Sequence, residues 1–203
     1  MLKAISRSAG FTIIELMIGL TVLGIVLMIG LPSLATWVQN TQIRTAAESM
    51  QSGLQLARAE ALRRNTTVRF QLVSTLTSAC ALSVTGTSWV VSRADPTGAC
   101  EQAPTEATTP WIVQKKDGAE GAPNAVITAT GGSSVIFNGI GRVVTSGVPA
   151  PISRVDVTNT RGGACKTAGA DEPMRCLRVT VSTGGSVRMC DPAVTDVTDP
   201  RSC

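Results

Sequence analysis

The fold is decided by the stretch Gly10-Phe11-Thr12-Ile13-Ile14-Glu15, which opens a long apolar segment near the N-terminus. Glu15 is the only charged residue between Arg7 and Arg44. As a helix, residues 11–31 are long enough to cross a bilayer, since about 20 residues at about 1.5 Å each span about 30 Å of hydrocarbon. The sequence therefore predicts a transmembrane helix that carries one carboxylate near its start.

The residues before this segment predict its orientation and its processing. Lys3 and Arg7 precede the apolar run and no acid does, so the positive-inside tendency keeps the leader in the cytoplasm and exports the rest. An ordinary signal peptide has a small-residue cleavage site after its apolar core, and residues 32–37 contain none. The small residue that fits a processing site is Gly10. Cleavage between Gly10 and Phe11 would leave the helix as the mature N-terminus.

Residues 10–17, read Gly-Phe-Thr-Ile-Ile-Glu-Leu-Met, resemble the class III signal of type IV pilins and type II secretion pseudopilins, whose N-terminal helices pack into a filament. The resemblance implies that a membrane-embedded prepilin peptidase cuts after Gly10 and N-methylates Phe11. It also implies that the Glu15 carboxylate meets the N-terminal ammonium of a neighbouring subunit during assembly. An unpaired charge is costly in an apolar bundle, which independently favours a partner for Glu15. The alternative is an ordinary signal anchor with a chance Gly-Phe pair.

The helix is predicted to continue beyond the apolar segment to about Arg64. Pro32 removes a backbone hydrogen bond and Gly30 lowers helix stability, so a helix kink is expected at these residues. Apolar residues then recur at spacings of three and four, which indicates an amphipathic helix that docks on a globular head. These are Ile43, Ala46, Ala47, Met50, Leu54, Ala57 and Ala61. Asn65 and the two threonines after it are expected to end the helix.

The head is predicted to be rich in β-structure, because apolar and polar residues alternate over several short runs. Strands are expected around residues 68–72, 80–84, 89–92, 111–114, 125–130, 134–137, 152–158, 177–181 and 187–189. Gly184 and Gly185 predict a hairpin turn between the last two. The fold class is therefore α+β, a pilin fold with a long N-terminal helix packed on an antiparallel β-rich head. The expected domains are a leader at 1–10, a transmembrane and assembly helix at 11–65 and a head at 66–203.

Six cysteines lie in the part that is predicted to be exported, where an even number indicates disulfides. They are Cys80, Cys100, Cys165, Cys176, Cys190 and Cys203. None belongs to a Cys-x-x-Cys pair, so the spacing favours neither a metal site nor a redox site. Short loop closure favours the sequential pairing, although six cysteines allow 15 connectivities.

Composition argues against an enzyme and against a strongly basic nucleic-acid binder. The chain has no histidine and no tyrosine, its aromatic content is 3%, and its net charge is +4, or about +2 once Lys3 and Arg7 are removed with the leader. A serine nucleophile would lack an imidazole base, no Gly-x-Ser-x-Gly elbow is present, and the acids form no cluster. We therefore expect no catalytic residues, no cofactor and no metal.

Further residues resemble the minor pilins of the FimT and FimU type, which share a head domain with the type II secretion pseudopilin GspH. The resemblance is carried by residues 56–65, 68–70, 137–139, 187–192 and 199–203. It implies a low-copy subunit that initiates or caps a type IV pilus and contacts other minor and major pilins through the N-terminal helices. It also implies a single pass through the bacterial inner membrane, with the head in the periplasm before incorporation into the pilus, at its tip. A type II secretion pseudopilin and a major pilin remain alternatives.

DNA capture for natural transformation is a further alternative, because some FimT-type pilins bind DNA through basic residues near the C-terminus. The corresponding candidates here are Arg175, Arg178, Arg188 and Arg201. The family's tail motif begins Gly-Arg-x-Arg, whereas this chain has Gly185-Ser186-Val187-Arg188, and nearby aspartates dilute the positive charge. The competing interpretation is that these arginines are ordinary solvent-facing positions.

Overall fold

A computed structural model describes residues 10–146 and 149–203, without the side chains of residues 29–33. The chain divides into two compact units, Met1–Trp37 and Val38–Cys203, and the first helix contributes to both. The elements are α1 (Ile13–Arg64), β1 (Val68–Val73), β2 (Ser88–Ser92), β3 (Ile112–Lys116), β4 (Ala125–Thr130), β5 (Ser134–Phe137), β6 (Arg154–Asn159), β7 (Leu177–Val181) and β8 (Val187–Cys190).

In the first unit, α1 carries apolar side chains that remain exposed. Ile13, Leu16 and Ile25 are each more than half exposed, and no other element of this unit covers them within the described residues. Over the residues that the structure describes, no helix is both long and apolar enough to cross a membrane. The kink predicted at Gly30 and Pro32, and the last residues of the apolar segment, fall on residues 29–33 and lie outside the described side chains. Both stay predictions.

In the second unit, α1 packs on the head through the predicted stripe. Every residue of that stripe is buried, and the stripe shares one hydrophobic core with residues of both sheets, including Phe70, Trp89, Val155 and Val179. The indole of Trp89 donates to Ser49 Oγ at 3.0 Å, which satisfies its buried N–H group. Burial of the stripe is what stabilises this half of the helix, because an isolated helix of this kind is marginal in water.

The head consists of two four-stranded antiparallel sheets, in the orders β3-β2-β1-β5 and β4-β6-β7-β8. This arrangement confirms the α+β class, a long N-terminal helix with antiparallel sheets. The helix ends at Arg64, and Asn65 adopts a left-handed conformation with φ 48°, as a C-terminal cap requires. Asn65 thus ends the helix where the sequence predicts. The Gly184-Gly185 hairpin is also confirmed, with Val179 opposite Met189.

Two expectations for the first sheet were wrong. Residues 80–84 form no strand: only Leu82 makes an isolated bridge, to Val73, because β5 pairs with the rest of that edge of β1. In β1, the polar Arg69 and Gln71 alternate with apolar residues, which predicts that both lie on an exposed face, yet Gln71 is only 1% exposed. The loop after β2 lies over that face, where a second cluster of Val73, Cys80, Val90, Cys100 and Ile112 is buried.

Candidate functional site

The N-terminal candidate site lies at the start of α1. Gly10 and Phe11 precede the helix, and Phe11 is 87% exposed, so the peptide bond between them lies outside regular structure. Thr12 begins the helical hydrogen bonding, since its carbonyl accepts from Leu16 N–H at 3.1 Å. Among the described residues, the predicted cleavage bond therefore lies before the first turn of α1.

Glu15 takes part in a capping box with Thr12. The Glu15 N–H donates to Thr12 Oγ1 at 3.3 Å, and the Thr12 N–H donates to Glu15 Oε2 at 3.4 Å. The Thr12 hydroxyl also lies 3.3 Å from that carboxylate oxygen. This reciprocal pair satisfies two N–H groups that the first turn leaves unpaired, and the helix dipole favours a negative charge there. The sequence prediction did not include this cap, although the Thr-x-x-Glu spacing signals it.

Polar side chains of α1 attach the start of its docked half to loops of the head. Asn40 accepts from the Arg175 backbone N–H at 2.7 Å and donates to the Pro173 carbonyl at 3.1 Å. Asn159 donates to Gln39 Oε1 at 2.6 Å, and Gln42 accepts from the Asn124 backbone at 3.1 Å. These amide contacts join the helix to two loops and to the end of β6, so the docked half is held by hydrogen bonds as well as by its apolar stripe.

Three disulfides close short loops in the head. The pairs are Cys80–Cys100, Cys165–Cys176 and Cys190–Cys203, with Cα–Cα distances of 6.1, 5.4 and 5.1 Å. This is the sequential pairing that the sequence favours. The first pair is buried in the cluster over the outer face of β1, and the third ties the C-terminal segment to the end of β8.

Four arginines were the candidates for DNA contact, and the structure brings only two of them onto one sheet face. Arg178 on β7 and Arg188 on β8 lie on the outer face of the second sheet, opposite Cys190 and Thr180 respectively. Arg154 on β6 also pairs with Thr180 and so joins the same face. The sequence prediction missed Arg154, because only the strand order places β6 beside β7.

Acids neutralise part of this arginine face. Asp156 lies 2.6 Å from Arg178 and 3.2 Å from Arg154, so three arginines share the face with one aspartate. Arg188 instead donates to the Pro200 and Ser202 carbonyls at 2.7 and 3.0 Å, which keeps its charge uncompensated by an acid among the described residues.

The other two candidate arginines lie away from this face. Arg175 is an exposed residue in the loop before β7. Arg201 lies in the C-terminal segment and pairs with Asp199 at 2.7 Å. The hydrogen bond from the Arg201 side chain holds the pKa of Asp199 at about 2. The Asp199 carboxylate is therefore charged at neutral pH and offsets the charge of Arg201.

Comparison with known proteins assigns the head. Residues 46–194 match the family model described as type II transport protein GspH. The chain belongs to this family. Residues 5–31 of this GspH-family protein also match the prokaryotic N-terminal methylation motif, which makes it a prepilin-type protein of the cell envelope. The resemblance to pilin-like proteins with a GspH head is thereby confirmed.

Two solved structures are similar to this GspH-family chain, and both are crystal structures of the type IV minor pilin FimU from Pseudomonas aeruginosa. One is 14% identical, covers 72% of this chain and 90% of its own, and has a TM-score of 0.43. The other is 15% identical, covers 82% of this chain and 98% of its own, and has a TM-score of 0.47. No curated protein matches the chain.

Proposed function

We propose that this chain is a non-enzymatic minor pilin of the FimT and FimU type, which helps to initiate or cap a type IV pilus. The observation that carries the proposal is the presence in one chain of the methylation motif at residues 5–31 and the GspH domain at residues 46–194. The motif supplies a processed helix for assembly, and the domain supplies the surface that the assembled subunit presents. Its partners are other minor and major pilins.

Processing is the first step of the proposed function. The prepilin peptidase cuts between Gly10 and Phe11 and methylates the new terminus, and the exposed position of this bond before α1 supports that step. The chain then resides in the inner membrane through residues 11–31, with the head in the periplasm, where the disulfides are chemically stable. Replacing Gly10 with a bulkier residue should leave the leader attached. A mobility assay tests this, and unchanged processing would refute the cleavage site.

Assembly is the second step, and it uses Glu15. In the single chain, the Glu15 carboxylate accepts from Thr12 at the N-terminal turn. A carboxylate has acceptor positions left after these bonds, so the cap leaves capacity to receive an ammonium from a neighbouring subunit. The exposed apolar side chains of this unit, among them Ile13 and Leu16, supply the surface that neighbouring helices or lipid would bury.

A deletion strain tests the role in the cell. We expect loss of surface pili with protein secretion intact, and recovery of pili when the wild-type gene is restored. Normal piliation in the deletion strain would contradict the proposal.

A type II secretion pseudopilin is the second candidate, and the description of the matching family as a type II transport protein favours it. Both machines use the same kind of N-terminal helix, so the helix does not separate them. The deletion strain does: loss of secretion with intact pili would select the pseudopilin.

DNA binding is a third candidate, supported by the arginine face of the second sheet. Arg154 and Arg188 flank Thr180 across three neighbouring strands, so their Cα atoms are about 10 Å apart. A gel-shift titration of the full chain in detergent, at two salt concentrations, tests this candidate. If DNA binds here, replacing both arginines with glutamine should weaken binding and flatten its salt dependence. Absence of salt-sensitive binding at micromolar protein would remove this candidate.

A further inference from the structure

The edge of β8 exposes unpaired backbone groups at Val187 and Met189. Ser182 N–H donates to the Ser186 carbonyl at 2.9 Å, which makes this pair a hydrogen-bonded pair of the hairpin. Hydrogen-bonded and non-hydrogen-bonded pairs alternate along an antiparallel ladder, so Val187 and Met189 direct their N–H and C=O groups away from β7. Within residues 10–146 and 149–203, these outward groups have no hydrogen-bond partner.

Each of the other three sheet edges is bonded by a loop within its strand. The Ile112 carbonyl on β3 accepts from Thr105, and Ala129 on β4 donates to the Val84 carbonyl. The Ile136 carbonyl on β5 accepts from Val144 at 2.8 Å. On the β8 side, the C-terminal segment makes one such bond, from Asp191 N–H to the Arg201 carbonyl, just beyond the end of the strand. Loop bonds of this kind hinder pairing with other chains, and among the described residues none falls within β8.

A groove of about 320 Å³ runs beside this edge, between α1 and the β7–β8 turn. Its lining residues are Gln55, Arg58, Ala59, Leu62, Ser186 and Val187. Leu62 is 49% exposed, so it leaves apolar surface uncovered in the groove. A strand added to β8 would direct every second side chain toward this groove.

Positive charge surrounds the edge. Arg58 donates to the Gly141 carbonyl at 3.2 Å, a neutral acceptor, and the neighbouring Arg142 is exposed. Arg188 lies on the opposite face of β8 and also bonds only carbonyl oxygens. Among the described residues, none of these three arginines forms an ion pair. An incoming strand therefore meets uncompensated positive charge on both of its faces.

We propose that the β8 edge and this groove bind an extended, acidic segment of another protein, which adds as a fifth strand to the sheet β4-β6-β7-β8. Its backbone would pair with Val187 and Met189, and its apolar side chains would contact Leu62 and Ala59. The alternate side chains, which are acids, would contact Arg188 on the opposite face. A second copy of β8 is disfavoured, since antiparallel self-pairing brings Arg188 of each copy close together and like charges repel. The inference concerns the head alone and stands independently of the pilus role.

Peptide binding to the full chain in detergent micelles tests the proposal. The probe is a fluorescent peptide of alternating valine and glutamate, and the matched control has lysine in place of glutamate. We expect the acidic peptide to bind about tenfold or more tightly than the control. Methylating alternate amide nitrogens of the probe removes its backbone donors without changing the protein, and should abolish the binding.

Substitutions in the protein locate the site. Val187→Pro removes the outward N–H group but no bond to β7, so it should weaken binding of the acidic peptide about tenfold. Val187→Ala keeps the N–H group and should weaken this binding less. Arg188→Gln, on the face of β8 that the glutamates would meet, should reduce the preference for the acidic peptide. Equal binding of both peptides, or full binding by the methylated probe, would overturn the proposal. So would a concentration-dependent dimer that Val187→Pro abolishes, because a second copy would then occupy the edge.

Discussion

At the residue scale, Glu15 combines two physical roles. It is the acid of a capping box with Thr12, and it is the one charge in an otherwise apolar stretch. The cap explains how the charge is accommodated within a single chain before any neighbour is present. The proposed filament contact requires the negative charge, whereas the cap requires only an oxygen acceptor at this position.

Glu15→Gln separates these two roles. A glutamine at the third helical position still caps the helix, so the helix start and leader removal should be preserved. The ammonium of a neighbour would lose its charged partner, and the amount of the subunit in sheared filaments should fall severalfold. Immunoblotting of filaments and membranes measures both quantities. Glu48→Gln, at an exposed site in the docked half of α1, is the control. Recovery of Glu15→Gln in filaments at the wild-type level would contradict the pairing.

Gly53 allows the close approach of α1 to the first sheet. A Cβ atom at this position would lie 2.7 Å from the Phe70 ring and 3.0 Å from the Trp89 ring. Both rings are buried and pack on each other with centroids 5.7 Å apart, so neither has room to move.

Gly53→Ala should therefore destabilise the head. Alanine raises helix propensity by about 1 kcal/mol, but overpacking a core costs about 1 to 3 kcal/mol, and rigid ring neighbours favour the upper part of that range. Urea unfolding followed by circular dichroism measures the difference, with the exposed Ser52→Ala as the control. An increase in the free energy of unfolding would show instead that the Phe70 and Trp89 rings move to accommodate the methyl group.

At the element scale, the last turn of α1 is joined to the loop before β3 by charged side chains. Glu60 lies 2.7 Å from Arg63 and 2.6 Å from Arg64, and Arg64 also pairs with Glu106. Hydrogen bonds from Arg63 and then Arg64 lower the pKa of Glu60, and the hydrogen bond from Arg64 lowers the pKa of Glu106. The helix end thus depends on two ionised carboxylates.

These pKa shifts predict acid sensitivity with a definite sign. A carboxyl group with a lowered folded-state pKa stabilises the fold above its unfolded value of about 4.3, and this contribution is lost as pH falls through the folded pKa. Glu60→Gln should therefore lower stability at pH 6 and reduce the further loss between pH 5 and pH 3. Urea midpoints across this range measure it, with Glu48→Gln as the control. If Glu60→Gln showed the same pH dependence of stability as the wild type, the ionisation of Glu60 would not contribute to acid sensitivity.

At the scale of the whole molecule, the disulfides contribute unequally. Cys80 and Cys100 are buried in a hydrophobic cluster of their own, whereas the pair Cys190–Cys203 holds a C-terminal segment that includes exposed residues. Loss of the first pair frees the loop that covers the outer face of β1. Loss of the third pair mainly frees the C-terminal segment, which is otherwise joined to β8 by the bond from Asp191 and by the Arg188 side chain.

Removing the first pair should therefore cost more stability than removing the third. Replacing both cysteines of a pair by alanine should cost about 2 to 4 kcal/mol for Cys80–Cys100, because the unfolded chain gains freedom and the cluster also loses burial. Replacing both Cys190 and Cys203 should lower the free energy of unfolding by about 2 kcal/mol or less. Urea unfolding of the two variants measures the order, and the reverse order would show that the C-terminal segment is the more important support.

Local patterns of the sequence by themselves determined the long helix, its buried stripe, the cap at Asn65, most strands and the β7–β8 hairpin. Helical and strand periods depend on residues that are close together in the chain, and the Gly10 to Glu15 motif is contiguous. The secondary structure and the motif can therefore be predicted without the tertiary structure. Only the tertiary structure decided that Arg154 joins Arg178 and Arg188, that Gln71 is buried and that β8 keeps an open edge. These depend on strand order and on the loops that cover each sheet, which bring together residues far apart in the chain.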